Sequence, residues 1–294
     1  GLAIAAKGGG HNIAGNALVE GGLTVDFRQM KGVQVDPDRR RARVQPGATL
    51  GDVDRATQRH GLVVPTGVNS TTGIAGLTLG GGFGWMTRKY GLTIDNLRSA
   101  RLVDASGKVL TVDANEHPDL FWAIRGGGGN FGIVTEFEFD LHAAGPTVLT
   151  GLVVHPFEDF FKVVEAYQRA VAAAPEELTC WIVSRKAPPL PFLPESWHGK
   201  EVTILAMCYV GADGQGEAAM APFRTIGKPV AEAVGPAAFV DWQTAFDPLL
   251  TPGARNYWKS HDVAAFTDAS LTVAADAIRN LPTDQCEVFF AHIG

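Results

Sequence analysis

The chain has 294 residues, of which 46% are hydrophobic and 19% charged, with 25 Lys and Arg against 31 Asp and Glu. This length and apolar content predict a globular protein of one large domain or two ordinary ones. The formal charge of −6 argues against nucleic acid or an anionic membrane surface as a partner. No apolar run approaches the roughly 20 residues that span a bilayer. We therefore expect a soluble protein; the sequence does not determine its compartment, and the cytoplasm is the expectation.

The cysteines and glycines narrow the classes of site. Cys180, Cys208 and Cys286 are odd in number and widely spaced, so they indicate neither a disulfide framework nor a CxxC metal site. We interpret them as buried apolar positions. Glycine supplies 35 residues, well above the roughly 7% that is usual. The excess is clustered at 8–10, 73–84 and 126–132, and these clusters are where a functional site is expected.

The first half of the chain predicts short strands interleaved with helices. In chain order these are strands at 2–6, 23–27 and 41–45, a helix at 49–60, a hairpin at 98–112, a helix at 116–124 and a strand at 133–141. Asp52 in the first turn and Gly61 as a stop mark the first helix. Ser106-Gly107 marks the hairpin turn, and Pro118 the first turn of the second helix.

The pattern changes after residue 142. The predicted elements there are a strand at 147–154, a helix at 157–173, strands at 178–184 and 202–210, a helix at 214–226, a proline-rich loop at 186–199 and a buried strand at 287–293. This order favours an antiparallel sheet with helices on one face. The fold class is therefore α+β, with domains at 1–142 and 147–294 and a boundary near 143–146. Buried strands so close to both ends of the sequence lead us to expect a fragment of a longer protein, truncated at both ends.

The first glycine cluster is followed by a histidine. Three successive glycines can turn consecutive N–H groups toward one point and form a nest for an anion such as a pyrophosphate. A plain turn after a strand is the structural alternative for Gly8 to Gly10. Taken alone, His11 is more often a hydrogen-bonded loop residue than a functional one.

The second cluster mixes seven glycines with apolar residues between Gly67 and Trp85. A flexible linker would be more polar. This composition predicts backbone packed closely against something flat and buried, and a tightly packed structural loop is the alternative.

The third cluster, Gly127 to Gly132, formally satisfies G-x-G-x-x-G. It follows a helix and opens a strand, whereas a Rossmann fingerprint requires a strand followed by a helix. The absence of Walker A, G-x-S-x-G and H-E-x-x-H patterns leaves phosphoryl transfer, triad hydrolysis and zinc hydrolysis without support. Glu116, His117 and Asp119 are better explained as a helix N-terminus than as metal ligands.

Taken together, four motifs resemble the FAD-binding domain of the berberine bridge enzyme-like flavoproteins, in the vanillyl-alcohol oxidase and p-cresol methylhydroxylase class. They are Lys7-Gly-Gly-Gly-His11-Asn12, the stretch 67–85, Lys89-Tyr-Gly-Leu92 with Asp95-Asn96, and Asp119-Leu-Phe-Trp-Ala-Ile-Arg-Gly-Gly-Gly-Gly-Asn-Phe-Gly-Ile-Val134. The resemblance covers residues 1–142. It implies an FAD domain followed by a substrate domain whose antiparallel sheet covers the flavin, and residues 147–294 fit that sheet in pattern only.

The resemblance also implies roles for particular residues. His11 matches the histidine that bonds to the 8α-methyl of FAD, and residues 7–12 match the loop around the pyrophosphate. Asn69 stands where many relatives carry a second, cysteinyl link, so a single covalent bond is expected. Thr72 stands where the family places a residue that controls oxygen access, which leaves oxidase and dehydrogenase both open. The expected cofactor-binding residues are Lys7, Gly8, Gly9, Gly10, His11, Asn12, Gly67, Val68, Thr72, Gly73, Gly76, Leu77, Gly80, Gly81, Gly82, Gly84, Asp95, Asn96, Gly132, Ile133 and Val134.

The family's catalytic base usually comes from beyond the region covered here, so no base is assigned. Trp181, Tyr209 and His292 are candidates for the substrate pocket, but each lies on an apolar strand and is better explained as core. The expected function is hydride transfer from a hydroxyl-bearing or polycyclic small molecule to covalent FAD, which O2 or another acceptor reoxidises. The alternatives are a noncovalent flavin reductase of the enolpyruvyl sugar nucleotide type and a flavin-binding fragment without turnover.

Overall fold

The structure is a computed structural model that describes residues 1–250 and 253–293. The residue contacts divide it into two compact units. Unit 1 comprises Gly1–Thr147 with Ala238–Trp258, and unit 2 comprises Val148–Ala237 with the chain from Lys259 onward. Unit 1 thus includes a segment, Ala238–Trp258, that was predicted to belong to the second domain. Assignment of the units as flavin and substrate domains stays a prediction.

The strands of the described residues, in chain order, are β1 (Ile4–Lys7), β2 (Leu23–Asp26), β3 (Val33–Asp36), β4 (Arg41–Val44), β5 (Leu62–Val63), β6 (Leu97–Val103), β7 (Val109–Asp113), β8 (Ile133–Asp140), β9 (His142–Ala143), β10 (Thr147–Pro156), β11 (Leu178–Lys186), β12 (Glu201–Tyr209), β13 (Ala231–Ala238) and β14 (Glu287–Phe290). The helices are α1 (Leu50–Gln58), α2 (Ile74–Leu79), α3 (Thr87–Tyr90), α4 (Pro118–Ile124), α5 (Phe160–Ala173), α6 (Gly216–Arg224), α7 (Phe239–Thr244) and α8 (Asp268–Arg279). None of these helices is long and apolar enough to cross a membrane.

Unit 1 is built on an antiparallel sheet in the order β3-β4-β8-β6-β7. The predicted hairpin at 98–112 is confirmed as β6 and β7. The predicted helix at 49–60 is confirmed as α1, and its start is fixed by a capping box: the Thr49 hydroxyl accepts the Asp52 N–H, and the Asp52 carboxylate accepts the Thr49 N–H. Phe137 and Phe139 of β8 lie fully buried beneath it.

The first strand differs from its prediction. β1 pairs in parallel with β2 alone, in a two-stranded sheet, and Leu2 and Ile4 are 72% and 62% exposed. Only Ala5 of this segment is buried. The prediction of a buried strand at 2–6 was therefore wrong in burial: apolar composition alone does not reveal whether a second layer covers the strand.

Unit 2 contains the predicted antiparallel sheet, in the order β13-β10-β12-β11-β14. Side chains that alternate along β10, β11 and β12 share one buried cluster with α5, α6 and α8. Tyr209 belongs to that cluster, and Trp181 is also buried, with its indole N–H donating to the His292 carbonyl at 3.2 Å. Trp181 and Tyr209 therefore fit the core interpretation.

Three details of unit 2 correct the predictions. The last strand, at the edge of the sheet, ends at Phe290 rather than at 293, and its Phe289 side chain is 38% exposed. Cys180 and Cys208 are buried as predicted, but Cys286 is only half-buried. The strand β13 and the helix α8 were not predicted, although α8 has a capping box and buries Leu271, Ala275 and Ile278 at helical spacing.

A buried histidine in unit 2 leads us to predict that the folded chain becomes less stable as the pH falls. His155 is fully buried, and neither ring nitrogen has a hydrogen-bond partner among the described residues. Burial lowers the pKa of His155 below its ordinary 6.5, and the charge of Asp159 offsets this only in part. The unfolded chain binds this proton below about pH 6.5 whereas the folded chain resists it, so stability falls as the pH drops.

We therefore predict that His155→Leu reduces the acid sensitivity of unfolding. The difference in unfolding midpoint, variant minus wild type, should increase as the pH is lowered from about 7.5 to about 5. Thermal unfolding of both proteins across this range measures it. Parallel curves would show that His155 is protonated equally in the folded and unfolded chains.

Candidate functional site

The first two glycine clusters meet backbone to backbone. A Cβ placed on Gly9 would overlap the backbone of Gly73, and a Cβ on Gly73 would overlap the backbone of Gly9. Gly8 lies beside them, where a Cβ would come within 2.9 Å of the Pro46 carbonyl oxygen. Only glycine permits this approach. The contact brings the turn after β1 against the N-terminus of α2 and places His11 at the same point.

The His11 ring lies between two threonine hydroxyls. Its Nε2 is 3.0 Å from Thr71 Oγ1, and its Nδ1 is 3.4 Å from Thr72 Oγ1. Asn69 Oδ1 accepts the Thr71 N–H at 3.1 Å and lies 2.5 Å from the same Thr71 hydroxyl. Asn69 and Thr71 thus form one hydrogen-bonded turn beneath the ring.

The donors in this turn determine which nitrogen of His11 carries the proton. Because the Thr71 N–H points at Asn69, the atom it meets must be the amide oxygen, an acceptor. The Thr71 hydroxyl therefore donates its single proton to Asn69 and accepts from His11 Nε2–H. This assigns the proton to Nε2 and leaves the lone pair on Nδ1, facing the longer contact to Thr72.

The surroundings also keep His11 neutral. Desolvation lowers the pKa of His11 below its ordinary 6.5, although the residue is still exposed in part. A hydrogen bond from the ring to the Thr71 backbone and the negative charge of Asp247 raise the pKa and offset part of this effect. A neutral ring with an available lone pair is a nucleophile.

Asp247 reaches this turn from the segment after β13. Its carboxylate accepts the Ser70 N–H at 2.9 Å and also accepts the Ser70 hydroxyl in a short hydrogen bond. The other side of the turn is held by α1, because Gly51 N–H and Leu50 N–H donate to the carbonyls of Ser70 and Thr72, each at 2.9 Å. The turn at 69–72 is therefore held from both sides.

A second set of hydrogen bonds holds the backbone at Gly67. The Gln243 amide of α7 donates to Asp54 Oδ2 at 3.1 Å, to Thr66 Oγ1 at 3.3 Å and to the Gly67 carbonyl at 3.0 Å. Burial raises the pKa of Asp54 to about 7, and the bond from Gln243 and the charge of Arg55 oppose that rise. This carboxyl is therefore partly protonated at neutral pH.

The glycines of the second cluster fall into two groups. Gly67, Gly82 and Gly84 are packed against the protein itself: a Cβ would contact Leu77, Thr93 and Thr66, respectively. At Gly76 and Gly81, by contrast, a Cβ would enter space with nothing within 4 Å. Gly80 is intermediate, since a Cβ there would come within 3.3 Å of the Gly76 carbonyl oxygen. The first group has a structural role without any ligand, and the open positions can face one.

The third cluster meets the C-terminal end of α2. Gly126 N–H and Gly128 N–H both donate to the Leu79 carbonyl, at 3.1 and 2.9 Å. The helix-then-strand context confirms that this G-x-G-x-x-G is not a Rossmann site. Gly132, Ile133 and Val134 lie instead against Leu102 and Val103 of β6.

The remaining predicted residues hold the turns around the site. Asp95 accepts the Leu92 N–H at 2.8 Å and pairs with Arg125 at 3.3 Å. The Asn96 amide group donates to the carbonyls of Tyr90 and Leu92, both at 2.9 Å. Asn96 Oδ1 lies 2.5 Å from a ring nitrogen of His142. Three further residues of the predicted set also make contacts within the protein. Lys7 of β1 lies opposite Asp26 of β2 in the parallel strand pair, and the Asn12 side chain accepts the Asn16 N–H at 3.0 Å. Leu77 packs against the unit 1 core.

Comparison with known proteins agrees with this geometry. Residues 1–113 match the family model described as FAD binding domain. The whole chain is 30% identical to an FAD-linked oxidoreductase of Dictyostelium discoideum, of which it covers 62%. A solved structure, Physcomitrella patens BBE-like 1, superposes on 95% of this chain and 62% of its own with a TM-score of 0.80 and 25% identity. In sequence and fold the chain is therefore similar to the berberine bridge enzyme-like FAD-linked oxidoreductases.

A second relative, whose name states a substrate, is (R)-6-hydroxynicotine oxidase of Paenarthrobacter nicotinovorans. It is 42% identical over 153 residues, which are 52% of this chain and 33% of that protein. The chain thus spans one third to three fifths of the length of these relatives. The strong local identity indicates that the similarity is concentrated in part of the chain.

The match of residues 1–113 to an FAD binding domain supports FAD as the cofactor, and the residues present fit it. A Cβ at Gly76 or Gly81 would meet no atom within 4 Å, so both positions leave room for a ligand, and His11 lies at the contact between the two glycine clusters. Four residues that support this site were not predicted: Thr71, Asp247, Gln243 and Asp54. Thr71 could have been found as the hydroxyl between Asn69 and Thr72, whereas Asp247 and Gln243 lie 177 and 189 residues from their partners Ser70 and Asp54.

Proposed function

We propose that this protein is an oxidoreductase that takes hydride from a hydroxyl-bearing or polycyclic small molecule, with FAD attached covalently to His11. The observation that carries the proposal is the position of the His11 ring: its Nε2 lies 3.0 Å from Thr71 Oγ1, burial lowers its pKa, and it lies where the two glycine clusters touch. When bound, FAD supplies the acceptor for the hydride and is reoxidised by O2 or another acceptor.

The residues proposed to hold FAD divide by task. The turn Gly8 to Gly10 offers backbone N–H groups to the pyrophosphate. Gly76 and Gly81 admit the ring system, because a Cβ at either position would occupy open space. His11 holds the 8α-methyl carbon through Nδ1, the nitrogen with the lone pair.

We propose a single covalent attachment. Asn69 cannot form the thioether that a cysteine would form at this position, and its side-chain oxygen is already engaged by Thr71. Asn69 instead acts on His11 through that hydroxyl. Thr72 presents a hydroxyl near Nδ1, and it is the residue we propose to affect the access of O2.

The substrate class is tested by anaerobic mixing of the flavin-loaded protein with candidate reductants. A panel of sugars, secondary alcohols and polycyclic phenols is compared with reduced nicotinamide dinucleotide, and the absorbance of oxidised flavin is followed. Bleaching by a member of the panel supports the proposal. Bleaching by the nicotinamide alone would instead indicate a flavin reductase.

A further inference from the structure

We propose that Asp247 is a positioning residue that orients His11 for the attachment of FAD. The inference rests on the function proposed above. The Asp247 carboxylate does not hydrogen-bond to His11. It accepts hydrogen bonds from the Ser70 backbone N–H, at 2.9 Å, and from the Ser70 hydroxyl. Ser70 lies directly between Asn69 and Thr71, the two residues whose side chains form the hydrogen-bonded turn beneath the His11 ring.

The two supports of this turn have different effects. The bonds from Gly51 and Leu50 to the carbonyls of Ser70 and Thr72 fix where the backbone runs. Asp247 accepts the N–H and the hydroxyl of Ser70, so it fixes the rotation of the peptide plane between Asn69 and Ser70 and the direction of the Ser70 side chain. Removal of the carboxylate should therefore leave the turn in place while allowing Thr71 and Asn69 to reorient.

Orientation of Thr71 matters because it selects the proton position on His11. While the Thr71 hydroxyl donates to Asn69, it can only accept from His11, which keeps the proton on Nε2 and the lone pair on Nδ1. If the turn rotates, the Thr71 hydroxyl can donate to Nε2, and the proton moves to Nδ1. That tautomer cannot form a bond from Nδ1 until it loses the proton.

The reaction that this arrangement serves replaces one C–H bond of the FAD 8α-methyl by a C–N bond to His11. Two protons leave, one from the methyl and one from the imidazole, and two electrons pass to molecular oxygen, which becomes hydrogen peroxide. Tautomer and ring direction therefore act on the rate of attachment rather than on the noncovalent affinity for FAD.

The first arm of the test is independent of flavin. Ring-nitrogen NMR of ¹⁵N-histidine-labelled protein, produced under riboflavin limitation and assigned by comparison with His11→Ala, reports the tautomer of His11. We expect the Nε2–H form in the wild type and a mixture in Asp247→Ala. Asp247→Asn, which retains an acceptor for the Ser70 N–H, should restore the wild-type form. Thr71→Val should not keep the Nε2–H form of His11, although Asp247 is unchanged in this variant.

The second arm measures attachment. Flavin-free protein is mixed with FAD, and the flavin that stays with the denatured chain is followed in time. We expect Asp247→Ala and Thr71→Val to attach flavin about tenfold more slowly or worse, with Asp247→Asn near the wild type. Circular dichroism checks that each variant is folded. If Asp247→Ala is unfolded, Ser70→Ala is used instead, because it removes only the hydrogen bond from the Ser70 hydroxyl to Asp247.

The outcomes separate the two proposals. If wild-type protein binds FAD but attaches none, covalent attachment is wrong, and the tautomer measurement still decides the role of Asp247. If the wild type attaches FAD and Asp247→Ala does so equally fast with the same tautomer, the positioning role is wrong and the proposed function stands. If Asp247→Ala loses the Nε2–H tautomer of His11 and Asp247→Asn recovers it, the positioning role of Asp247 is supported.

Discussion

Gly76→Val is expected to weaken the binding of FAD by a factor of about 10 to 100. Gly76 is exposed on α2, and a Cβ there meets nothing within 4 Å, so the folded chain can accept the side chain. If FAD occupies this space, the added isopropyl group overlaps it and costs about 1 to 3 kcal/mol. The dissociation constant is measured in a His11→Ala background, so that binding is reversible.

Gly235→Val is the matched control for this prediction. Gly235 lies on β13, its φ is not positive, and a Cβ there also meets nothing within 4 Å. We expect it to leave the affinity for FAD unchanged. Gly82→Val is a poorer probe, because its side chain would overlap Thr93 and disturb the fold itself. An unchanged affinity in folded Gly76→Val would show that FAD does not contact α2 at this point.

Asp54→Asn is expected to raise the free energy of unfolding above pH 7 by as much as about 4 kcal/mol. The pKa of Asp54 rises from 3.8 to about 7 on folding because its carboxylate is buried, so the folded chain binds this proton more tightly than the unfolded chain. Wild-type stability therefore decreases as the pH rises from 3.8 to about 7. Asparagine keeps an oxygen for the Gln243 amide and removes the charge.

The measurement is denaturant unfolding of wild type and variant at about pH 5 and about pH 8. The stabilisation should be larger at the higher pH. Asp52→Asn is the control on the same helix: burial there is outweighed by the hydrogen bonds from Thr49 and the charge of Arg55, which lower the pKa of Asp52. Its contribution has the opposite sign, so this variant should be destabilised above pH 4. Equal effects of Asp54→Asn at both pH values would mean that Asp54 is not a buried carboxylate.

The elements that could be predicted from the sequence are those with local signals. The Thr49 and Asp52 capping box starts α1, the turn at Ser106-Gly107 joins β6 to β7, and Pro118 opens α4. In each case the residues that determine the conformation lie within a few positions of each other. Burial was less predictable, as β1 shows, because it depends on what packs above the strand.

The site was predictable only in part, for the same reason. The glycine clusters and His11 stand out in the sequence, since glycine is required wherever two backbones touch. Gln243 and Asp247, which support the backbone around the site, come from α7 and the turn after it, a segment predicted to belong to the other domain. Nothing near Asp247 in the sequence indicates that its carboxylate meets Ser70, because the two are brought together only by the tertiary fold.

We propose that FAD is bonded to His11 and to no other residue, and mass spectrometry of the denatured protein measures this attachment. We predict that the intact chain carries the added mass of one FAD, that digestion locates this mass on the peptide containing His11, and that His11→Ala binds FAD without retaining it after denaturation. Flavin on a peptide containing Cys180, Cys208 or Cys286, or release of all flavin from fully loaded wild-type protein, would contradict the account.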